Sequence, residues 1–377
     1  MLDESLLDDP DALARADSRG LLRGAAEAGA RVRTAARHAV EAGVTELQAE
    51  GRPRAVLVAG PGTAAIGVAD LVSALAGASA PVAHLHSSGV APAAGALRWA
   101  LPGWVGSVDL LLILTTDGTE PGLALLAEQA YRRGVTVVAV APRPSPLSEA
   151  VDGRHGLVVP MATAPHELDQ EETQAASPAL WALFTPLLAL LDRVGLITAP
   201  AEVVQKVADR LDHIAERCGP AVATYSNPAK TLAAELADTM PLIWTEGTTA
   251  APVGRRFAAV LAELAGRPAI VAELPEALPT HTVLLAGDFA AGADPDDFFR
   301  DRVDEAQALR ARVVLLRDRP AGGLTAAPAA RELALSHGTA ISELEPEEGT
   351  ELETLAELLA VTDFATGYLA LASGAHT

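Results

Sequence analysis

The sequence predicts an α/β protein of two domains, each a doubly wound parallel β-sheet flanked by helices. Three observations carry that expectation. Short buried strands alternate with helices in both halves of the chain. Gly- and Thr-rich turns follow two of the strands in the first half. Half of the 377 residues are hydrophobic but only 3% are aromatic, so the core must be Ala, Val and Leu packing helices onto sheets. At roughly 150 residues per domain the length accommodates two.

The elements follow in order. Residues 1–50 read as a helical segment, from Pro10 through Leu21, Ala25 and Val32 to Val40, with Arg-Val-Arg-Thr-Ala-Ala-Arg-His as its polar face. A first domain spans 51–160. Its opening strand, Ala55–Ala59, runs into Gly60-Pro-Gly-Thr-Ala-Ala-Ile-Gly67 and a helix from Val68 to Leu75. Strand Pro81–His86 ends in a Ser-Ser-Gly loop, and strand Val108–Leu114 ends in Thr115-Thr-Asp-Gly-Thr-Glu120. Helix Pro121–Arg133 and strand Val135–Ala141 come next. Residues 143–178 read as a connection with one strand, Gly156–Val159. Linker and packing helices fill 161–218, the apolar helix Ser177–Val194 among them.

A second domain spans 219–377. Ala221–Thr224 is a strand or loop, Pro228–Asp238 a helix, Met240–Trp244 a strand and Val253–Ala265 a helix. Strand Thr282–Ala286, helix Asp296–Leu309, strand Arg312–Leu316 and helix Glu351–Leu371 complete it. Strand–helix alternation of this kind makes right-handed parallel sheets.

The net charge of −21 disfavours nucleic acid and anionic membranes as partners, since both need basic surface. Lysine occurs only at Lys206 and Lys230, so an anionic ligand would rely on backbone N–H groups, hydroxyls and arginines. A lone cysteine, Cys218, excludes an intramolecular disulfide, and no Cys/His spacing fits zinc. Neither a metal nor a cofactor is expected. The acidic N-terminus lacks signal-peptide order, and no apolar run reaches about 18 residues, so the expected location is cytoplasmic.

Two turns carry the candidate chemistry. Gly60-Pro-Gly62 resembles a dinucleotide fingerprint, but Ala65 replaces the third glycine and no acidic residue ends the next strand. The simpler reading is a turn whose N–H groups and helix N-terminus face an anion. Thr115, Thr116 and Thr119 add hydroxyls beyond the carboxyl end of a buried strand, where doubly wound sheets bind ligands. The alternative is an ordinary helix-capping turn with Thr119 as the cap.

Here the chain resembles the sugar isomerase (SIS) domains, whose phosphate loop carries a Ser-Gly-Asn-Thr-Glu pattern. It stands here as Thr116-Asp-Gly-Thr-Glu120, and Gly60-Pro-Gly-Thr-Ala64 is similar to the family's Gly-X-Gly-Gly-Ser loop. The second half resembles the bifunctional phosphoglucose/phosphomannose isomerases, and most of all the actinobacterial TobH-like group. The resemblance rests on Asn227-Pro-Ala-Lys-Thr-Leu-Ala233, Met240-Pro-Leu-Ile243, Arg256-Phe257, Glu273-Leu-Pro-Glu276 and Asp363–Ala370, taken in order. It implies two SIS domains, a sugar-phosphate ligand, a homodimer, and aldose–ketose isomerisation between fructose 6-phosphate and glucose or mannose 6-phosphate.

The resemblance also implies roles. Gly60, Gly62, Thr63, Thr115, Thr116 and Thr119 would hold the phosphate, Glu263 would be the base, and His281 the displaced ring-opening group. Arg255, Arg256 or a partner subunit would stand in for a family lysine, because no lysine follows Lys230. The helix around Glu263 reads Ala262-Glu-Leu-Ala-Gly266, without the family's asparagines and lysine. Taken alone, Glu263 reads as a solvated helix residue and His281 as a surface histidine. Three functions stay open: an active isomerase, a sugar-phosphate binder that has lost its acid–base set, and a structural protein with an empty pocket.

Overall fold

The structure is a computed structural model describing residues 3–47, 51–89, 97–154, 156–162, 176–287, 310–318 and 324–374. Two compact units divide the chain. One holds Arg19–His213; the other joins Met1–Ser18 to Ile214–Thr377. The expected helix Asp296–Leu309 falls outside the described residues.

The N-terminal segment is four helices: α1 (Glu4–Leu7), α2 (Pro10–Ala16), α3 (Leu21–Ala26) and α4 (Ala28–Glu41). Asp3 and Asp9 cap the first two through their carboxylates, and Pro10 sits at the start of α2, where its missing N–H costs nothing. The first sheet then builds from β1 (Val56–Ala59), α5 (Gly62–Ala76), β2 (Val82–Leu85), β3 (Leu110–Leu114), α6 (Pro121–Arg132), β4 (Thr136–Ala141), α7 (Pro146–Asp152) and β5 (Leu157–Pro160). The helix α7 is absent from the sequence reading of 143–178 as a connection. Its signal is local: Ser145 and Ser148 form a reciprocal capping box with Pro146 between them.

All pairings in this sheet are parallel, in the order β2-β1-β3-β4-β5. Leu57, Leu111, Ile113 and Ala139 face α6 and α7 over one core, which Trp99 also enters. Helix α8 (Ala176–Arg193) packs on α4 and α5, burying Trp181, Phe184 and Leu187. Side chains of that size stabilise by about 1.5–3 kcal/mol each when fully buried. With so few aromatics, these carry much of the packing. Helix α9 (Ala201–Cys218) follows.

The second sheet comprises α10 (Pro228–Leu236), β6 (Thr239–Glu246), α11 (Ala250–Ala265), β7 (Ile270–Glu273), α12 (Ala277–Ala286), β8 (Arg310–Arg317), α13 (Ala327–Ser336), β9 (Ala340–Leu344) and α14 (Glu351–Ala372). It too is wholly parallel, in the order β7-β6-β8-β9. The expected strand Thr282–Ala286 is instead the end of helix α12, and the strand of that region is β7. A short apolar run reads equally well as strand or buried helix, and only the sheet pairing decides between them.

Successive β6 side chains point to opposite faces. Ile243 and Thr245 lie under Gly254 of α11, where a Cβ would come within 2.5 Å of the Thr245 methyl. Trp244 enters the other core with α12 and α13. Helix α14 packs on α10 and α11. It is long and apolar enough to cross a membrane by length and composition, yet it is buried within its unit. Lys230 fixes this corner: its ammonium donates to Pro220 O and Val222 O, both at 2.7 Å, and lies 5.4 Å from the Tyr368 ring. Tyr368 donates in turn to Cys218 O at 2.6 Å.

Candidate functional site

In an open parallel sheet, a crevice forms beyond the carboxyl ends of the strands where the strand order reverses. In the first sheet that point lies between β1 and β3, so the crevice is walled by the turn after Ala59 and the turn after Leu114. These are the two turns that the sequence marked.

Gly60 is buried, and a Cβ there would stand 2.2 Å from Leu114 O, so the close approach of the two turns requires glycine. Gly62 opens α5 at φ +80° with open space around it, and half-buried Thr63 follows in the first turn. Pro61, the N-cap, supplies no side-chain acceptor, so the first N–H groups of α5 have no side-chain cap.

The second turn is held from within. Thr115 is buried, and its Oγ1 accepts from Gly118 N at 3.0 Å. The same hydroxyl donates to Asp117 Oδ1 at 3.2 Å, and Thr119 N donates to that oxygen at 2.9 Å. Thr116 is half-buried and Thr119 exposed. Gly118 has φ +69° and presses on Ser145 at the start of α7, which seats the turn. The N-cap of α6 is Glu120, which makes no side-chain cap bond. Thr119 therefore does not cap the helix, because Pro121 starts it one residue later than the capping reading needed. Glu120 Oε2 is buried without a partner among the described residues.

His86 is the residue the sequence reading passed over. It follows β2, whose last residue Leu85 pairs with Ala59, and it is exposed. Its ring lies 4.2 Å from that of His84, whose pKa is held below the ordinary value by burial and by His86.

The second sheet reverses order between β6 and β8, and its crevice is filled by the chain itself. Asp318 Oδ2 accepts from Thr249 N at 2.7 Å and Thr249 Oγ1 at 2.8 Å, at the start of α11. Gly247, at φ +108°, has no room for a Cβ because that carboxylate occupies the space. Glu246 accepts from Ala326 N at 2.5 Å before α13, from Thr325 Oγ1 at 2.7 Å and from Arg317 Nε at 3.1 Å. These bonds hold the Glu246 carboxyl below its usual range against its burial. Both helix N-termini are thus already supplied with anions.

The expected acid–base residues are not assembled in one chain. Glu263 is exposed on α11, 13 positions beyond its first residue Ala250, or about 20 Å along the axis from the crevice end. His281 lies on α12, across the sheet, and is buried rather than on the surface. Its Nδ1 accepts from Trp244 Nε1 at 2.7 Å, which places any ring proton on Nε2 in the neutral form, and burial lowers its pKa. Arg256 is 4% exposed and pairs with buried Asp363 of α14, the geometry of a structural ion pair. Arg255 reaches the surface Glu273 at 3.1 Å. Among the described residues no cluster of His, Cys, Asp and Glu is arranged to hold a metal ion.

The two-sheet fold has counterparts among known proteins. Residues 225–376 match the family model of the bacterial phospho-glucose isomerase C-terminal SIS domain. Among solved structures the chain resembles a phosphosugar isomerase candidate from Clostridium difficile 630, with TM-score 0.59 and 11% identity over 93% of this chain and 92% of that one. A phosphosugar isomerase candidate from Silicibacter pomeroyi DSS-3 gives 0.56 and 17% over 94% and 98%. A hypothetical protein from Thermus thermophilus gives 0.59 and 14% over 96% and 89%. At these identities the likeness is one of fold. No curated protein matches the chain.

Proposed function

We propose that this chain is a cytoplasmic, homodimeric sugar-phosphate-binding protein of the phosphosugar isomerase-like SIS type, with its ligand in the first crevice. The observation that carries the reading is the contrast between the crevices. At the first, α5 and α6 begin without side-chain caps and β1 and β3 end in glycine and threonine donors. At the second, Asp318 and Glu246 occupy the corresponding helix starts. A phosphate gains from backbone N–H groups and a helix N-terminus, which suits a chain with two lysines and net charge −21. Gly60, Gly62, Thr63, Thr116 and Thr119 are the proposed contacts, with Thr115 shaping the turn.

Turnover is a separate matter. Isomerisation between fructose 6-phosphate and glucose or mannose 6-phosphate needs a base and a ring-opening acid at one substrate. Glu263 and His281 lie on opposite faces of one sheet, and Trp244 holds His281. Losing a single acid–base group costs about 10²–10⁴-fold in rate. Binding without turnover is therefore the favoured reading over the isomerase. The isomerase keeps one support, the match of the domain containing Glu263 and His281 to a phospho-glucose isomerase model.

Calorimetry with fructose 6-phosphate, beside a coupled isomerase assay, separates the two. The expected outcome is saturable binding with no aldose phosphate formed. Formation of glucose or mannose 6-phosphate that stops in Glu263→Gln would establish the isomerase instead.

A further inference from the structure

We infer that Asp117 is a built-in competitor for the phosphate, setting how tightly the first crevice takes an anionic ligand. The inference rests on the reading of that crevice as the sugar-phosphate site. One oxygen of Asp117, Oδ1, engages two donors that face the end of β3: Thr119 N at 2.9 Å and the Thr115 hydroxyl at 3.2 Å. Thr115 Oγ1 also accepts from Gly118 N, so that hydroxyl is spent within the turn.

The second crevice shows the same device carried to completion. There Asp318 takes the N–H and hydroxyl of Thr249 at 2.7 and 2.8 Å, and packs so tightly on Gly247 that no side chain fits. In the first crevice the bonds are longer and Asp117 is exposed, so its carboxylate can turn out into water when a ligand arrives. A phosphate entering the turn must displace Asp117 from Thr119 N and then accept a like charge close by, beside that of Glu120. Both effects weaken phosphate binding and leave an uncharged sugar nearly unaffected. Asp117 is thus a specificity-determining residue: it favours ligands whose other contacts offset the displacement over free phosphate.

The test is calorimetric titration of the full chain and of Asp117→Asn and Asp117→Gly with fructose 6-phosphate, inorganic phosphate and fructose. Asn keeps a turn acceptor while removing the charge, and circular dichroism melts verify that each variant is folded. The expected result is about tenfold or greater tightening for both phosphorylated probes in both variants, with no gain for fructose. Wild-type binding that is unchanged or weakened in the variants would overturn the role of Asp117 and leave the site standing. No binding of fructose 6-phosphate by any of the three proteins would overturn the site, and the inference with it.

Discussion

At the residue scale, the buried polar groups divide into those that shape the fold and those left for a ligand. Lys230 belongs to the first kind. It is wholly buried, and its three directions are spent on Pro220 O, Val222 O and the Tyr368 ring. Replacing it by Met strands two part-buried carbonyls, each costing up to about 1–3 kcal/mol. Chemical denaturation of Lys230→Met should therefore show a loss of about 2 kcal/mol or more. His281 gives a pH signature. Burial lowers its folded pKa, so its neutral form is the one the fold favours. Its contribution is present above the unfolded value near 6.5 and is lost as pH falls through the lower folded value. The melting temperature of wild type should fall between pH 7 and pH 5 by more than that of His281→Gln, which keeps an acceptor for Trp244 but takes up no proton. Equal slopes would show that folding leaves the proton affinity of His281 unchanged.

The elements were mostly legible because the strand signals are strong. Leu110–Leu114 and Val313–Leu316 are buried on both faces and read as continuous apolar runs. The gaps are equally physical. Strand β7 is half-exposed at a sheet edge and short, and its Ile-Val-Ala-Glu sequence carries little signal. Helix α12 hid behind a Thr-Val-Leu-Leu-Ala run whose strand-like residues pack as a helix on β6. In the site, the sequence placed the two turns of the first crevice, since glycine and threonine after a buried strand are local signals. It could not show that Asp117 binds the turn's own donors, that Asp318 fills the second crevice, or that Arg256 is spent on Asp363. Those depend on pairings over 2, 69 and 107 residues that spacing does not encode.

The α11–α14 contact offers a prediction at this scale. Removing one partner of a buried ion pair costs about 3–5 kcal/mol, whereas replacing both with apolar residues is often neutral. Arg256→Met alone should destabilise strongly, and Arg256→Met with Asp363→Leu should recover most of that loss. If the double variant were the worse of the two, Arg256 would have a role beyond its partner.

At the scale of the whole molecule, the chain carries two parallel sheets of related order, and the proposed reading assigns the anionic ligand to the first. At the second sheet the carboxylates of Asp318 and Glu246 occupy the helix starts. Their bonds satisfy helix N-termini from within the chain, which adds to stability. The account therefore predicts one sugar phosphate per chain and a single responding region.

Hydrogen exchange with saturating fructose 6-phosphate tests this most directly. Protection should appear over Gly60–Ile66 and Thr115–Leu123, while Glu246–Ala251 and Arg317–Asp318 stay unchanged. Protection at the second crevice, or at neither, would contradict the assignment of the ligand to the first sheet.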